Sequence, residues 1–208
     1  MKAYEELFDE ILRIAHTRGV KFGRLQVVDS VHLVADVNVG KDRQRQNNGK
    51  SPRDKDAKWG SKGNKVAMGE DGKRHREKQY YYGYKDQVSL NAESEIVTSV
   101  IPGGANDYDG HKFKRLVDKD LSKGIEVGTV AADKGYDDGE NHYYLGQQGI
   151  NSAIRLNSYR TQKKDKNKQG WVKLKESAEY QEGLKERYKV ERKFGEAKKW
   201  HGFARCRY

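Results

Sequence analysis

The stretch Arg187-Tyr-Lys-Val-Glu191-Arg-Lys-Phe194-Gly-Glu-Ala-Lys198 sets one carboxylate among cations at helical spacing. Arg187 lies four residues before Glu191, Phe194 three after and Lys198 seven after, offsets that share one face of an α-helix. A carboxylate with an Arg one turn back and a Lys two turns on stays ionised. It suits a divalent cation while its basic neighbours suit phosphates. The same spacing also describes an ordinary helix laced with i,i+4 ion pairs, so the rest of the chain has to decide between the two.

The upstream apolar runs supply a frame. Residues 3–18 read as an amphipathic helix, with Leu7, Ile11, Leu12, Ile14 and Ala15 to one side and Gly19 as its stop. It is expected to pack against the elements after it. Residues 24–37 read as a strand around Leu25-Gln-Val-Val-Asp-Ser-Val31. Tyr80, Tyr82 and Tyr84 alternate, Val88 and Leu90 continue that strand, and Ile96, Val97 and Val100 form the next one beyond an Asn91-Ala-Glu-Ser turn. A helix over 110–119 turns Phe113, Leu116 and Val117 inward. A short apolar strand over 126–132 ends at Asp133. After it come a helix from Gly139 to Gln148, a buried strand from Ile150 to Leu156 and a long helix over 178–200. That order predicts an α/β fold, a mixed sheet with helices on its faces.

Two stretches depart from the pattern. Residues 40–79 are rich in Lys, Arg, Asn, Gly and Asp and read as a basic, loop-like insertion. A second basic stretch, over 157–175, interleaves Tyr159 and Trp171 with lysines. Aromatics beside cations suit stacking on unpaired bases, and a Trp in a loop equally suits packing on its own domain.

Composition points the same way. The 208 residues carry a formal charge of +11, with 35% charged and 34% hydrophobic side chains. Such an excess is an argument about partners, and a nucleic-acid backbone is the commonest. The lone Cys206 excludes an intrachain disulfide and a Cys-based zinc site. No apolar run approaches the ~20 residues of a membrane span, and the start has no signal-peptide core, so a cytoplasmic location without membrane contact is expected.

Three acids stand out by position: Asp29 at the end of the first strand, Asp133 at the end of a later one, and Glu191 on the last helix. Brought together they would repel one another unless neutralised, and two Mg2+ ions solve that problem while serving phosphoryl transfer. Other acids and imidazoles rank lower. Glu196 lies five residues beyond Glu191 and points elsewhere, and Asp36 lies an odd number of residues from Asp29 and so on the opposite strand face. Asp137 and Asp138 suit the start of the next helix. His32 is read as facing away or bonding locally, and His142 and His201 have no partner at metal spacing.

The stretches Val28-Asp29-Ser30, Tyr82-Gly83-Tyr84-Lys85, Pro102-Gly-Gly-Ala-Asn-Asp107, Ala132-Asp133-Lys-Gly-Tyr136 and Arg187…Glu191…Lys198 occur in that order. Together they resemble the DDE catalytic domain of IS4/IS5-type bacterial insertion-sequence transposases, IS5-like in particular, over roughly residues 24–208. The resemblance implies an RNase H-like fold and Mg2+-dependent cleavage and strand transfer of double-stranded DNA at element ends. Mn2+ is expected to substitute for Mg2+. The resemblance makes Asp29, Asp133 and Glu191 the catalytic metal-binding triad and puts Arg187 and Lys198 on the DNA backbone, with Lys134 and Tyr136 as further contacts. Trp171 joins the expected DNA contacts through its setting among lysines.

In this scheme residues 1–23 are a helical lead-in, and the two-ended substrate implies a homodimer on bacterial nucleoid DNA. Leu184 stands where the related signature often has Tyr, and Asn91 where relatives often carry Asp. No helix-turn-helix precedes Asp29, and relatives continue beyond the last helix, so flanking segments are expected. Two alternatives stay open at the level of sequence: a metal-dependent nuclease of the same fold, and an inactive truncated copy that only binds DNA.

Overall fold

β-branched and aromatic residues alternate or run together in five places, and each becomes a strand flanked by helices. The computed structural model describes residues 2–69, 72–162 and 165–206. The chain forms two compact units, one of residues 1–29, 87–101 and 109–193 and the other of residues 30–86, 102–108 and 194–208.

In the first unit, the start of β1 (Leu25–Ala35) pairs in parallel with β5 (Thr129–Ala132), and β5 with β6 (Asn151–Ile154). The end of β3 (Arg74–Asn91) pairs antiparallel with β4 (Val97–Ile101) and lies beside β1, as Ala92 N–H donating to the Leu25 carbonyl at 2.9 Å attests. The strands thus lie in the order β4-β3-β1-β5-β6. An antiparallel run at one side of β1 and two crossover strands parallel to it at the other make an RNase H-like mixed sheet, as the resemblance implies.

Strand alternation gives this sheet two different faces. Val28, Val130, Ala132 and Ile154 face Phe113, Leu116 and Val117 of α3 (Phe113–Ser122) and Leu145 of α4 (Gly139–Gln147), and all are buried in one cluster. Asp120, also on α3, is buried among strand hydroxyls and accepts from Ser89 at 2.5 Å and Ser99 at 2.6 Å. Burial pushes its carboxyl above the ordinary aspartate range, against those hydrogen bonds.

Leu25, Val27, Ala131 and Ala153 point to the other face, which α6 (Ala178–Glu186) covers. Gly183 is the point of closest approach, because a Cβ there would penetrate the shell of Ala153 Cβ and lie 3.2 Å from that of Ala131. α7 (Tyr188–Trp200) begins after one residue, Arg187, whose φ of −56° and ψ of −30° keep it helical. The single helix expected over 178–200 is therefore two helices in near continuity. Lys189 of α7 donates to the Ala92 carbonyl at 2.7 Å, and Val190 is wholly buried.

α1 (Lys2–Thr17) docks on α3 through Glu5–Lys119 at 3.1 Å and Asp9–Lys123 at 3.0 Å. Of its apolar residues Leu12 is buried, while Leu7 and Ile11 remain more than half exposed.

In the second unit the basic stretch after residue 39 holds a helix and a strand hairpin where its composition suggests a loop. α2 (Val39–Asn47) is capped by Asn38, which accepts from Lys41 N–H at 3.0 Å. β2 (Lys58–Met68) then pairs antiparallel with the first half of β3 as a long hairpin. Local pairing of strands close in sequence overrides polar composition here, because the ladder hydrogen bonds join backbone groups and form whatever the side chains are. At its base Tyr82 donates to the Asp54 carbonyl and Tyr84 to the Asp54 carboxylate, both at 2.7 Å.

The tightest packing in the first unit gives a clear expectation. Gly183→Ala gains about 1 kcal/mol of helix propensity but overpacks the α6–sheet contact by about 1–3 kcal/mol. The denaturant midpoint of this variant is expected to fall, and an unchanged or raised midpoint would mean that α6 does not bear on Ala131 and Ala153 as described.

Candidate active site

The β1–β5 register decides where the acids go. The last paired residues are Val28 and Ala132, so the next residue of each chain segment is Asp29 on β1 and Asp133 just past β5. In-register neighbours on parallel strands point the same way and lie about 4.8 Å apart in backbone position. Both carboxylates therefore leave the sheet on the face that carries Val27 and Ala131, the face covered by α6. Asp133 has extended φ and ψ and accepts from Gly135 N–H at 2.7 Å, capping the 3-10 turn Lys134–Tyr136.

The third acid arrives through Arg187, at the junction of α6 and α7. Its Nη2 lies 3.6 Å from Asp29 Oδ2 and 3.8 Å from Glu191 Oε1. Both separations are ion pairs but too long for hydrogen bonds. The Arg187 side chain is 12% exposed, and its Nε is buried with no hydrogen-bond partner. One guanidinium thus stands between two carboxylates with a buried donor unsatisfied, a costly arrangement unless something else accepts from it. Glu191 is the accessible member, its side chain 64% exposed against 18% for Asp29.

An oxygen-only donor set of this kind suits a hard divalent cation such as Mg2+. Asp29 and Asp133 are paired by register, and Glu191 joins them through the arginine. Among the described residues no three His, Cys, Asp or Glu side chains are close enough together to hold a metal ion. A fit therefore requires side-chain movement, for which the exposed Glu191 has the most room.

The remaining expected residues divide. Lys134 is exposed in the turn, and its carbonyl accepts from Asn157 Nδ2 at 3.1 Å. Tyr136 is corrected: it is wholly buried in the core cluster, its ring centroid is 5.8 Å from that of Phe113, and it hydrogen-bonds Gln87, so it cannot touch DNA. Its place just after a surface turn suggests access, but the chain dives inward there. Trp171, on α5 (Lys168–Glu176), packs on the protein, against His142 and Arg160, each 4.9 Å away, with Nε1 donating to Asp165 at 3.2 Å. Lys163 and Lys164 of the same basic stretch lie outside the described residues.

Lys198 belongs to the second unit, two turns along α7 from Glu191. Burial and then the nearby charge of Lys62, in the same unit, hold its ammonium below the ordinary lysine range. Two cations that repel each other at a half-buried position suit an anion between them. Sequence reasoning has no access to Lys62, since no spacing rule links it to Lys198.

A second group missed by sequence sits behind Asp133. The helix start expected of Asp137 falls to Asp138, which accepts from Glu140 N–H at 3.0 Å. Asp137 itself has a fully buried side chain and accepts from His142 Nε2 at 3.0 Å, Arg160 Nε at 3.1 Å and Asn157 N–H at 2.8 Å. Asn157 in turn holds the Lys134 carbonyl, so this cluster fixes the turn that presents Asp133. Burial alone would raise the Asp137 carboxyl, but the His142 and Asn157 hydrogen bonds and the Arg160 charge outweigh it and hold the group below the ordinary aspartate range.

The family model described as the transposase DDE domain matches residues 21–208. No curated protein matches the chain significantly.

Because the folded carboxyl of Asp137 is depressed, its stabilisation is complete above the ordinary aspartate value of about 4 and is lost as pH falls through the lower folded value. Asp137→Ala strands a buried arginine and is expected to cost about 3–5 kcal/mol at neutral pH. The loss should shrink in acid. Urea titrations at several pH values check this, and a cost that stayed constant down to the acid limit would contradict the assignment.

Proposed function

Because the chain belongs to the transposase DDE domain family, we propose that it cleaves double-stranded DNA at the ends of an insertion sequence and transfers the freed strand, using Mg2+. The observation that carries this reading is the β1–β5 register, which sets Asp29 beside Asp133, together with the Arg187 guanidinium that bridges Asp29 to Glu191. Residues 24–208 act as the catalytic domain, residues 1–23 as its lead-in, and two copies serve the two element ends.

Asp29, Asp133 and Glu191 are the metal ligands. Bound Mg2+ supplies Lewis-acid activation of the attacking oxygen and charge stabilisation of the leaving one. The protein's own part is positional and electrostatic. The sheet sets the backbones of Asp29 and Asp133 side by side, and Glu191, the most exposed of the three, moves in from solvent. When it does, Arg187 gives up one carboxylate, and its freed Nη2 is left to donate to a phosphate oxygen at the scissile group. Lys134 beside Asp133 and Lys198 on α7 neutralise the DNA backbone.

Asp29→Asn, Asp133→Asn and Glu191→Gln keep shape and remove one charge each. Each is expected to lower Mg2+-dependent cleavage of element-end DNA by about a thousand-fold or more, since ligand loss forfeits several kcal/mol of barrier lowering. Mn2+ binding by calorimetry should weaken in parallel. Undiminished cleavage by any of the three would sink the triad. A cleaved but never joined product would replace strand transfer with simple hydrolysis.

A further inference from the structure

The β2–β3 hairpin has a chemistry that the catalytic reading leaves unused. Its outer part pairs Asn64 with Lys78, Lys65 with Glu77, Val66 with Arg76, Ala67 with His75, and Met68 with Arg74. Alternation sorts these pairs onto two faces. One face carries Asn64, Val66 and Met68 on β2 opposite Lys78, Arg76 and Arg74 on β3. The other carries Lys65, Ala67, Glu77 and His75. Every side chain of the first face is exposed, Val66 at 58% and Met68 at 67%.

None of Arg74, Arg76 and Lys78 makes an ion pair or a side-chain hydrogen bond among the described residues. A two-stranded ribbon with no third strand and no core under it is marginal by itself. Val66 and Met68 thus lie exposed among cations that make no ion pair among the described residues.

We propose that this face of the ribbon enters the major groove of duplex DNA and reads its sequence, on the basis of three aligned cations alternating across the ladder with Asn64, Val66 and Met68. The proposal rests on the reading of the chain as a DNA-processing enzyme. The major groove admits a two-stranded ribbon, and the side chains present are those that read base edges there. Arg bonds guanine in bidentate fashion, Asn bonds adenine, and apolar groups contact the thymine methyl. Lys65 on the opposite face would meet backbone.

The spacing also fits. Alternate residues on a strand lie about 6.7 Å apart, and base pairs rise about 3.4 Å. Arg74, Arg76 and Lys78 therefore sample roughly every second base pair. The ladder register shifts between Ser61 and Asn64, where Gly63 has φ +66°, the mark of a bulge that bends and twists a ribbon. The bulge separates the reading part from the base, where Trp59 and Tyr82 contact each other at 5.5 Å between ring centroids.

The test is selection of duplexes from a random library by the whole chain, in EDTA so that nothing is cut. The wild type is expected to enrich a short motif. Arg74→Lys and Arg76→Lys keep the charge but lose the bidentate fork. Each should lose preference at its own position, about two base pairs from the other's, with the discrimination there falling on the order of ten-fold or more while bulk affinity and salt dependence hold. Lys65→Ala should lower affinity for all sequences alike and leave the motif intact.

The proposal is overturned if the wild type enriches nothing, or if the Arg74→Lys/Arg76→Lys double variant enriches the same motif. It is also overturned if Lys65→Ala erases the motif as the arginine variants do. Asp29→Asn separates this from the catalytic reading. It should enrich the wild-type motif and cut none of it. An Asp29→Asn chain that still cleaved would refute the triad and leave the ribbon to be judged on enrichment alone.

Discussion

The parallel pairing of β1 with β5 is the constraint on which the first unit of the molecule depends. Four consecutive residue pairs from Leu25↔Thr129 to Val28↔Ala132 set Asp29 of β1 level with Asp133, just past the end of β5. A slip of one residue would turn Asp29 to the face of Val28, among Phe113, Leu116 and Tyr136, where an unpaired carboxylate is expensive. The apolar face that packs on α3 and α4 and the polar ends that emerge beside α6 therefore enforce the same register. Core packing, rather than any direct attraction between the acids, brings Asp29 and Asp133 together.

That arrangement gathers charge that must be balanced. Arg187 supplies the balance for Asp29 and Glu191, at distances that hold it electrostatically without tying up its donors. Behind the Asp133 turn the balance is tighter: Asp137 is buried with three partners, and the turn is anchored through Asn157. A buried support under the Asp133 turn and a looser clamp on Asp29 and Glu191 divide the work of holding the three acids. In the second unit Lys62 and Lys198 bring like charges together, and Arg74, Arg76 and Lys78 line one exposed face of the hairpin.

Much of this was legible from the chain. Apolar runs at Leu25–Val31 and 126–132 announced their strands, and the period of Phe113, Leu116 and Val117 announced α3, because burial of one face leaves a period in the sequence. The Arg187, Glu191 and Lys198 spacing survives, since Arg187 keeps helical torsions between α6 and α7. The hairpin over 58–82 was not legible as one, because a ribbon exposed on both faces shows no apolar alternation. Tyr136 misled for the converse reason. Three residues from a proposed metal-binding aspartate it reads as surface, yet the 3-10 turn after Asp133 drives its ring into the core.

By itself the sequence determined the kind of protein: the order of strands and helices, the excess of positive charge, and which three acids stand out by their place on those elements. Those are local properties, carried by periodicity, composition and spacing along the chain. Only the tertiary structure decided which of those acids are neighbours, which cation clamps them, and that Asp137, His142 and Arg160, separated in the chain, form one buried cluster. Such pairings depend on strand register and helix placement, which are settled by the packing of the whole core and leave no mark at any single position.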